Sequence, residues 1–153
     1  MQVWQLMTAE VVTLEADATL DIADDLMTLK RIRHLPVVRG GELVGLVSQR
    51  DLFRAGLSSV LEFRQKTKKE WLHRIPVREV MVHGLITVAP DTDVEHAVNR
   101  MLDNQIGCLP VVAAGKLVGL LSETDCMRYL QRILKIADVK RRITEEEQLT
   151  DVG

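Results

Sequence analysis

Apolar and polar residues follow one another along this chain in a pattern that is used twice. The segment EVVTLEADATL opens with β-branched residues, which suit a pleated strand, and reaches Asp17 just before a helical pattern. Leu20, Ala23, Met27 and Lys30 then recur at spacings of three and four, with Leu26 and Leu29 widening the apolar face. Two short apolar runs follow, LPVV and LVGLVS, joined by Gly40-Gly41. Glycine tolerates the positive φ angles of a two-residue turn, so this joint predicts a hairpin. The second strand ends at Ser48, where another helix starts. Later, LITVAPDTDVEHAVNRML repeats the opening, with Asp91 or Thr92 as cap and Val94, Ala97, Val98 and Met101 inward. LPVV and LVGLLS follow, joined by Ala113-Ala114-Gly115, a weaker turn signal, and a helix begins after Ser122. Each unit therefore predicts strand, helix, strand, strand, helix.

The two units are copies. Met7–Arg54 laid on Met81–Arg128, an offset of 74, gives 18 identities in 48 positions, against roughly three expected from ordinary residue frequencies. One copy is too small to bury a secure core, so the copies should fold against each other as one pseudo-symmetric α+β domain. Two equivalent clefts between them follow from that symmetry. Pro36 and Pro110 cannot donate to a ladder and should sit at a strand start or an edge. Gly45 and Gly119, in mid-strand, predict a bulge or a close backbone approach.

The pattern divides the chain into a first repeat at residues 1–58, a connecting segment at 59–76, a second repeat at 77–134 and a charged tail at 135–153. In the connector, Val60, Leu61, Phe63, Trp71, Leu72 and Ile75 alternate with Arg64, Lys66, Lys68, Lys69 and Glu70. This predicts one or two helical turns with one apolar side, ended by Pro76. The lysines form either a solvated face or a patch for an acidic partner. After Cys126 one helix should run through Leu130, Ile133, Leu134 and Ile136 and fray in the charged tail.

Composition narrows the function. The 153 residues are 46% hydrophobic and 27% charged, with a net charge of -2 from 20 basic and 22 acidic side chains. That balance gives no global attraction to nucleic acid or an anionic membrane, and 3% aromatic residues supply few base-stacking platforms. The start, MQVWQLMTAE, lacks the pattern of a secretory signal, and no apolar run is long enough to span a bilayer, so a cytoplasmic protein is expected. Cys108 and Cys126 stand where the first copy has His34 and Leu52. The fold therefore needs neither thiol, and buried reduced cysteines are expected. His34, His73, His83 and His96 lack metal-ligand spacing. No Ser/His/Asp set, Cys/His pair or phosphate-binding glycine loop is present, so the chain reads as no enzyme.

Met7-Thr8 and Met81-Val82, Thr13 and Thr87, HLPVV and CLPVV, and above all GLVSQRD and GLLSETD carry a family resemblance. The chain resembles a tandem pair of cystathionine-β-synthase (CBS) domains, a Bateman module, from Val3 to about Leu130. The resemblance implies two βαββα repeats packed sheet to sheet. It also implies an adenosine-containing ligand, AMP, ADP or ATP, with no required cofactor. A homodimer and a regulated partner protein are implied as well.

Ser-x-x-Asp follows a strand and opens a helix at Ser48–Asp51 and again at Ser122–Asp125. A carboxylate there is able to accept hydrogen bonds from both hydroxyls of a ribose. The serine hydroxyl and the free N–H groups of the first turn face the place for a phosphate, which the helix dipole favours. The same tetrapeptide is also a capping box, in which serine caps the helix and the acid reaches back. Both roles stay open.

By the resemblance, each cleft joins the opening of one repeat to the last strand and helix of the other. The first cleft would take Thr13, Ala16, Ile32 and Arg33 with Leu120, Ser122, Thr124 and Asp125. The second would take Thr87, Pro90, Ile106 and Gly107 with Leu46, Ser48, Arg50 and Asp51. Arg33, whose counterpart is Gly107, is able to grip a phosphate and makes the first cleft the better candidate, unless it merely ends a solvated segment. Arg50 is either a partial substitute in the second cleft or simply exposed. The expectation is a regulatory adenine-nucleotide-binding pair; the alternative is a ligand-free dimerisation or protein-interaction module.

Overall fold

A computed structural model of the chain describes residues 1–62 and 67–150. Phe63, Arg64 and Lys66 of the connector, and the side chains of Val60 and Leu61, lie outside the described residues.

The first repeat contains β1 (Leu14–Glu15), α1 (Leu20–Lys30), β2 (His34–Arg39), β3 (Glu42–Ser48) and α2 (Gln49–Glu62). α1 begins after Thr19, a short step beyond Asp17, and buries Leu20, Ala23 and Met27. Leu26 packs at the edge of that core, whereas Leu29 is exposed, so the apolar face is narrower than its sequence. β1 pairs parallel to β2 and β2 antiparallel to β3, with the turn at Gly40 and Gly41 at φ 58° and 83°. Pro36 lies one position ahead of the β1 ladder, which begins at Leu14 opposite Val37, so its missing N–H interrupts nothing there.

α3 (Lys68–Leu72) follows, opened by a capping box between Thr67 and Glu70. It ends at Leu72, four residues ahead of Pro76, and Leu72 is fully buried in the first core. Lys68 and Lys69 are solvated but lie 3.4 Å from Asp24 and Asp25 of α1.

The second repeat has α4 (Val94–Asp103), β4 (Cys108–Ala113), β5 (Lys116–Ser122) and α5 (Glu123–Thr150). α4 begins after Asp93, which holds the N-cap position without a side-chain capping bond, rather than after Asp91 or Thr92. The expected opening strand shrinks to one bridge between Val88 and Val111. The cause is Pro90: its counterpart Ala16 donates its N–H to the Val38 carbonyl at 2.9 Å, a bond proline cannot make. α5 does not fray after Ile136 but continues as helix to Thr150. Strong helix formers fill that stretch, and Arg141 pairs with Asp138 and Glu145 one turn away on either side.

The two hairpins share one irregularity. Val37 faces Gly45 while Val38 faces Leu43, leaving Val44 over, and Val118 is left over in the same way. Both expectations for the mid-strand glycines meet here, because the room at Gly45 is filled by Met81 and that at Gly119 by Met7.

Those methionines belong to segments that cross over. A 3-10 turn at Val3–Gln5 lies against the second repeat, with Val3 N–H on the Thr92 carbonyl and Trp4 N–H on that of Pro90. The equivalent turn at Val77–Glu79 lies against the first, with Val77 N–H on the Ala18 carbonyl at 2.7 Å. The cores are interleaved accordingly. Val3 and Leu6 pack with Val88, Leu109, Val111 and Leu121, whereas Val77 and Met81 pack with Leu20, Leu35, Val47 and Leu52. Each repeat completes the other's core, and β3 adjoins β5 across the join.

Candidate ligand-binding site

The crossing segments also build the clefts. After its 3-10 turn, each pairs with the last strand of the other repeat, Thr8 with Leu120 and Val82 with Leu46. The ends of β3 and β5, where Ser-x-x-Asp stands, are thereby brought beside the opening of the opposite repeat.

One open cleft of about 780 Å³ lies at the Asp51 end, a volume suited to a nucleotide-sized ligand. Leu46, Ser48, Arg50 and Asp51 line it from the first repeat, and Ile106 and Gly107 from the second. Six residues assigned to the second cleft are therefore brought together. Thr87 and Pro90 do not line it. The Thr87 carbonyl accepts from Arg100, and that of Pro90 from Trp4.

The residues of the other cleft are arranged differently. Arg33 lines the open cleft instead, with its Nη2 donating to Thr124 Oγ1 at 3.2 Å. Ala16 is buried, with its N–H in the β1–β2 ladder, Ile32 packs on the first core, and Thr13 is exposed. Leu120 is engaged with Thr8 through two backbone hydrogen bonds.

Ser-x-x-Asp is a capping box at both helices. Asp51 Oδ2 accepts from the Ser48 N–H and hydroxyl at 2.7 Å each, and the Asp51 N–H donates to Ser48 Oγ at 3.3 Å. Asp125 Oδ2 accepts from Ser122 at 2.9 and 2.6 Å. Capping uses one carboxylate oxygen and leaves the second for other partners, so the capping role does not exclude a sugar contact.

The cleft contains groups that the periodic pattern did not single out. Arg54 and Lys68 add positive charge, Asp24 and Glu123 add negative, His34 adds an imidazole, and Val82 extends the apolar wall. Lys68 comes from the connector, whose place over the cleft follows from α3 packing on α1 and no local signal. Glu123 occupies the second position of Ser-x-x-Asp, with its Oε2 3.1 Å from where a Cβ on Gly107 would stand. A side chain at residue 107 would press on it, so the glycine leaves room for the acid.

Burial, with the neighbouring Arg33 guanidinium, holds His34 below the usual histidine range although Glu123 and Asp51 oppose the shift. Burial pushes the Cys108 thiol up to about 12, with the Asp125 charge adding to it, and raises Cys126 for the same reasons. Both thiols are protonated at neutral pH, so neither offers the thiolate that binds metal or attacks a substrate. Among the described residues no three His, Cys, Asp or Glu side chains are grouped to hold a metal ion, and no helix is long and apolar enough to cross a membrane.

Comparison with known proteins agrees with this architecture. The CBS domain pattern matches residues 3–58 and 77–132. A CBS domain-containing protein of Dictyostelium discoideum is 31% identical over 133 residues, which is 86% of this chain and 92% of the relative. The crystal structure of a candidate acetoin utilization protein from Vibrio cholerae superposes with a TM-score of 0.75 at 34% identity, covering 90% of this chain and 96% of that one. The structure of CBSX2 in complex with AMP superposes with a TM-score of 0.71 at 28% identity, over 86% and 97% of the two chains. With the family pattern met twice in register and the fold shared along nearly the whole length, the chain belongs to the CBS domain family as a tandem pair.

Proposed function

We propose that this CBS pair binds an adenine nucleotide (AMP, ADP or ATP) in the Asp51 cleft and thereby regulates a partner protein. One observation carries the reading: the open cleft joins both repeats and combines a capped carboxylate, apolar walls and a surplus of cationic groups. In it, Asp51 holds the ribose, Leu46 and Ile106 flank the adenine, and Arg33, Arg50 and the first turn of α2 receive the phosphate. The AMP complex of CBSX2 supports the ligand class. A ligand touching both repeats favours the arrangement it bridges and changes the outer surface offered to a partner. It does so only by its difference in affinity between the two arrangements. The working assembly is a cytoplasmic homodimer.

A ligand that binds the folded state raises the melting temperature with its concentration. A thermal-shift titration with AMP, ADP, ATP, S-adenosylmethionine, NAD and cyclic dinucleotides tests the reading. A graded rise with an adenine nucleotide is expected, and no response to AMP, ADP or ATP sinks it. A second reading, a ligand-free interaction module, is favoured by α5, where Leu130, Ile133, Leu134 and Ile136 are exposed at 43–57%. Concentration-dependent dimerisation without any ligand response would support that reading instead.

A further inference from the structure

We propose that the two carboxylates opening the last helices do different jobs. Asp51 takes the ligand, and Asp125 is a clasp held across the repeat interface by Thr8, so each chain binds one adenosine-type ligand. The ligand half of this rests on the function proposed above; the clasp half stands on geometry alone.

Pseudo-symmetry makes the comparison direct. Thr8 and Leu120 exchange backbone hydrogen bonds of 2.8 and 2.9 Å, and Val82 and Leu46 exchange bonds of 2.8 and 3.2 Å. Residues 8 and 82 are thus set by the same register beside Asp125 and Asp51, but one carries a hydroxyl and the other does not. Thr8 Oγ1 donates to Asp125 Oδ1 at 3.3 Å. Arg128 Nη1 stands 3.9 Å from the same oxygen, and Ser122 occupies Oδ2. Asp125 has partners on both oxygens and is 8% exposed. Close by, Arg33 reaches across to Thr124, a second strut over the same seam.

Asp51 differs on each point. Ser48 occupies its Oδ2, but among the described residues no hydrogen bond reaches Oδ1, and the side chain lines the open cleft. A ribose at Asp51 finds a free acceptor. A ribose at Asp125 would have to displace a hydrogen bond already made inside a covered site, and that exchange returns little net free energy. The clasp also ties the first repeat's opening segment to the second repeat's last helix, so the seam there is held without a ligand.

Calorimetric titration of the full chain with AMP tests the assignment. One equivalent is expected, with affinity at least tenfold weaker in Asp51→Asn and about tenfold weaker in Val82→Thr, which gives Asp51 the hydroxyl that Asp125 has. Two equivalents, or wild-type affinity in both variants, overturns the one-ligand assignment. The clasp is measured separately by a double-mutant cycle of Thr8→Val and Asp125→Asn in urea unfolding. A combined loss smaller than the sum of the single losses is expected, and strict additivity overturns the clasp. Silence towards AMP, ADP and ATP in every variant overturns the proposed function and the ligand half with it. Additivity in the cycle overturns the clasp while the function stands.

Discussion

The interleaved cores make one sharp prediction: a substitution near the start of the chain should damage the second repeat. Val3 is fully buried among Val88, Leu109, Val111 and Leu121. Val3→Ala removes two methyl groups, about 1.6 kcal/mol at about 0.8 kcal/mol for each buried group. The unfilled space left behind raises the cost to about 2–3 kcal/mol. For a chain of this size that lowers the melting temperature by roughly 4–12 °C. Thermal unfolding measures the loss, and two-dimensional NMR of the folded variant locates it. Amide shifts should change around Val88, Leu109 and Leu121 and stay put around Leu35, Val47 and Leu52. Val77→Ala is the mirror control, since Val77 is fully buried in the first core. Shift changes of Val3→Ala gathered in the first repeat, or an unchanged melting temperature, would refute the exchange of segments.

Other outcomes follow from the same contacts. Gly45→Ala places a Cβ 2.7 Å from Met81 Cγ and 3.1 Å from its Cβ; that overpacking should cost about 1–3 kcal/mol in chemical denaturation, and combining it with Met81→Ala should recover part of the loss. His34 is held below the usual histidine range, so below about pH 6.5 the unfolded chain binds its proton more readily than the folded one. Its contribution to stability is therefore complete above about pH 6.5 and is lost as the pH falls towards the folded group's own titration. His34→Gln should flatten the stability profile in that window, and an unchanged slope would contradict the burial argument. With its thiol raised to about 12 and its side chain buried, Cys108 should resist iodoacetamide at pH 8 until the chain is unfolded; rapid modification of the native protein by mass spectrometry would speak against that environment.

Much of the local structure could be read from the order of residues, because local structure answers to neighbours in sequence. The spacing of Leu20, Ala23 and Met27 marks the buried face of α1, the Gly40-Gly41 pair marks the first hairpin, and the doubled Ser-x-x-Asp marks both capped helices. The departures have local causes too. Pro90 lacks the N–H that Ala16 uses, and Leu29 lies on the rim of a face narrower than its run of apolar residues. What order alone did not disclose is which partner a segment chooses. Periodicity reports that Val3 and Val77 seek apolar surroundings, and it is silent on whose core receives them. That choice is made only when two similar halves compete for the same segments in three dimensions.

The candidate site divides along the same line. Duplication by itself determined that a carboxylate would open each last helix beside a seam, since the motif and its strand are written out twice. Tertiary structure decided that the seams are unequal, because what faces each carboxylate comes from a distant part of the chain, Val82 for Asp51 and Thr8 for Asp125. Thr8 meets Asp125, Val82 leaves Asp51 without such a donor, and Arg33 turns towards Thr124 while lining the cleft at the other end. A carboxylate's chemistry depends on which groups stand within hydrogen-bond reach, and reach is a property of the folded chain.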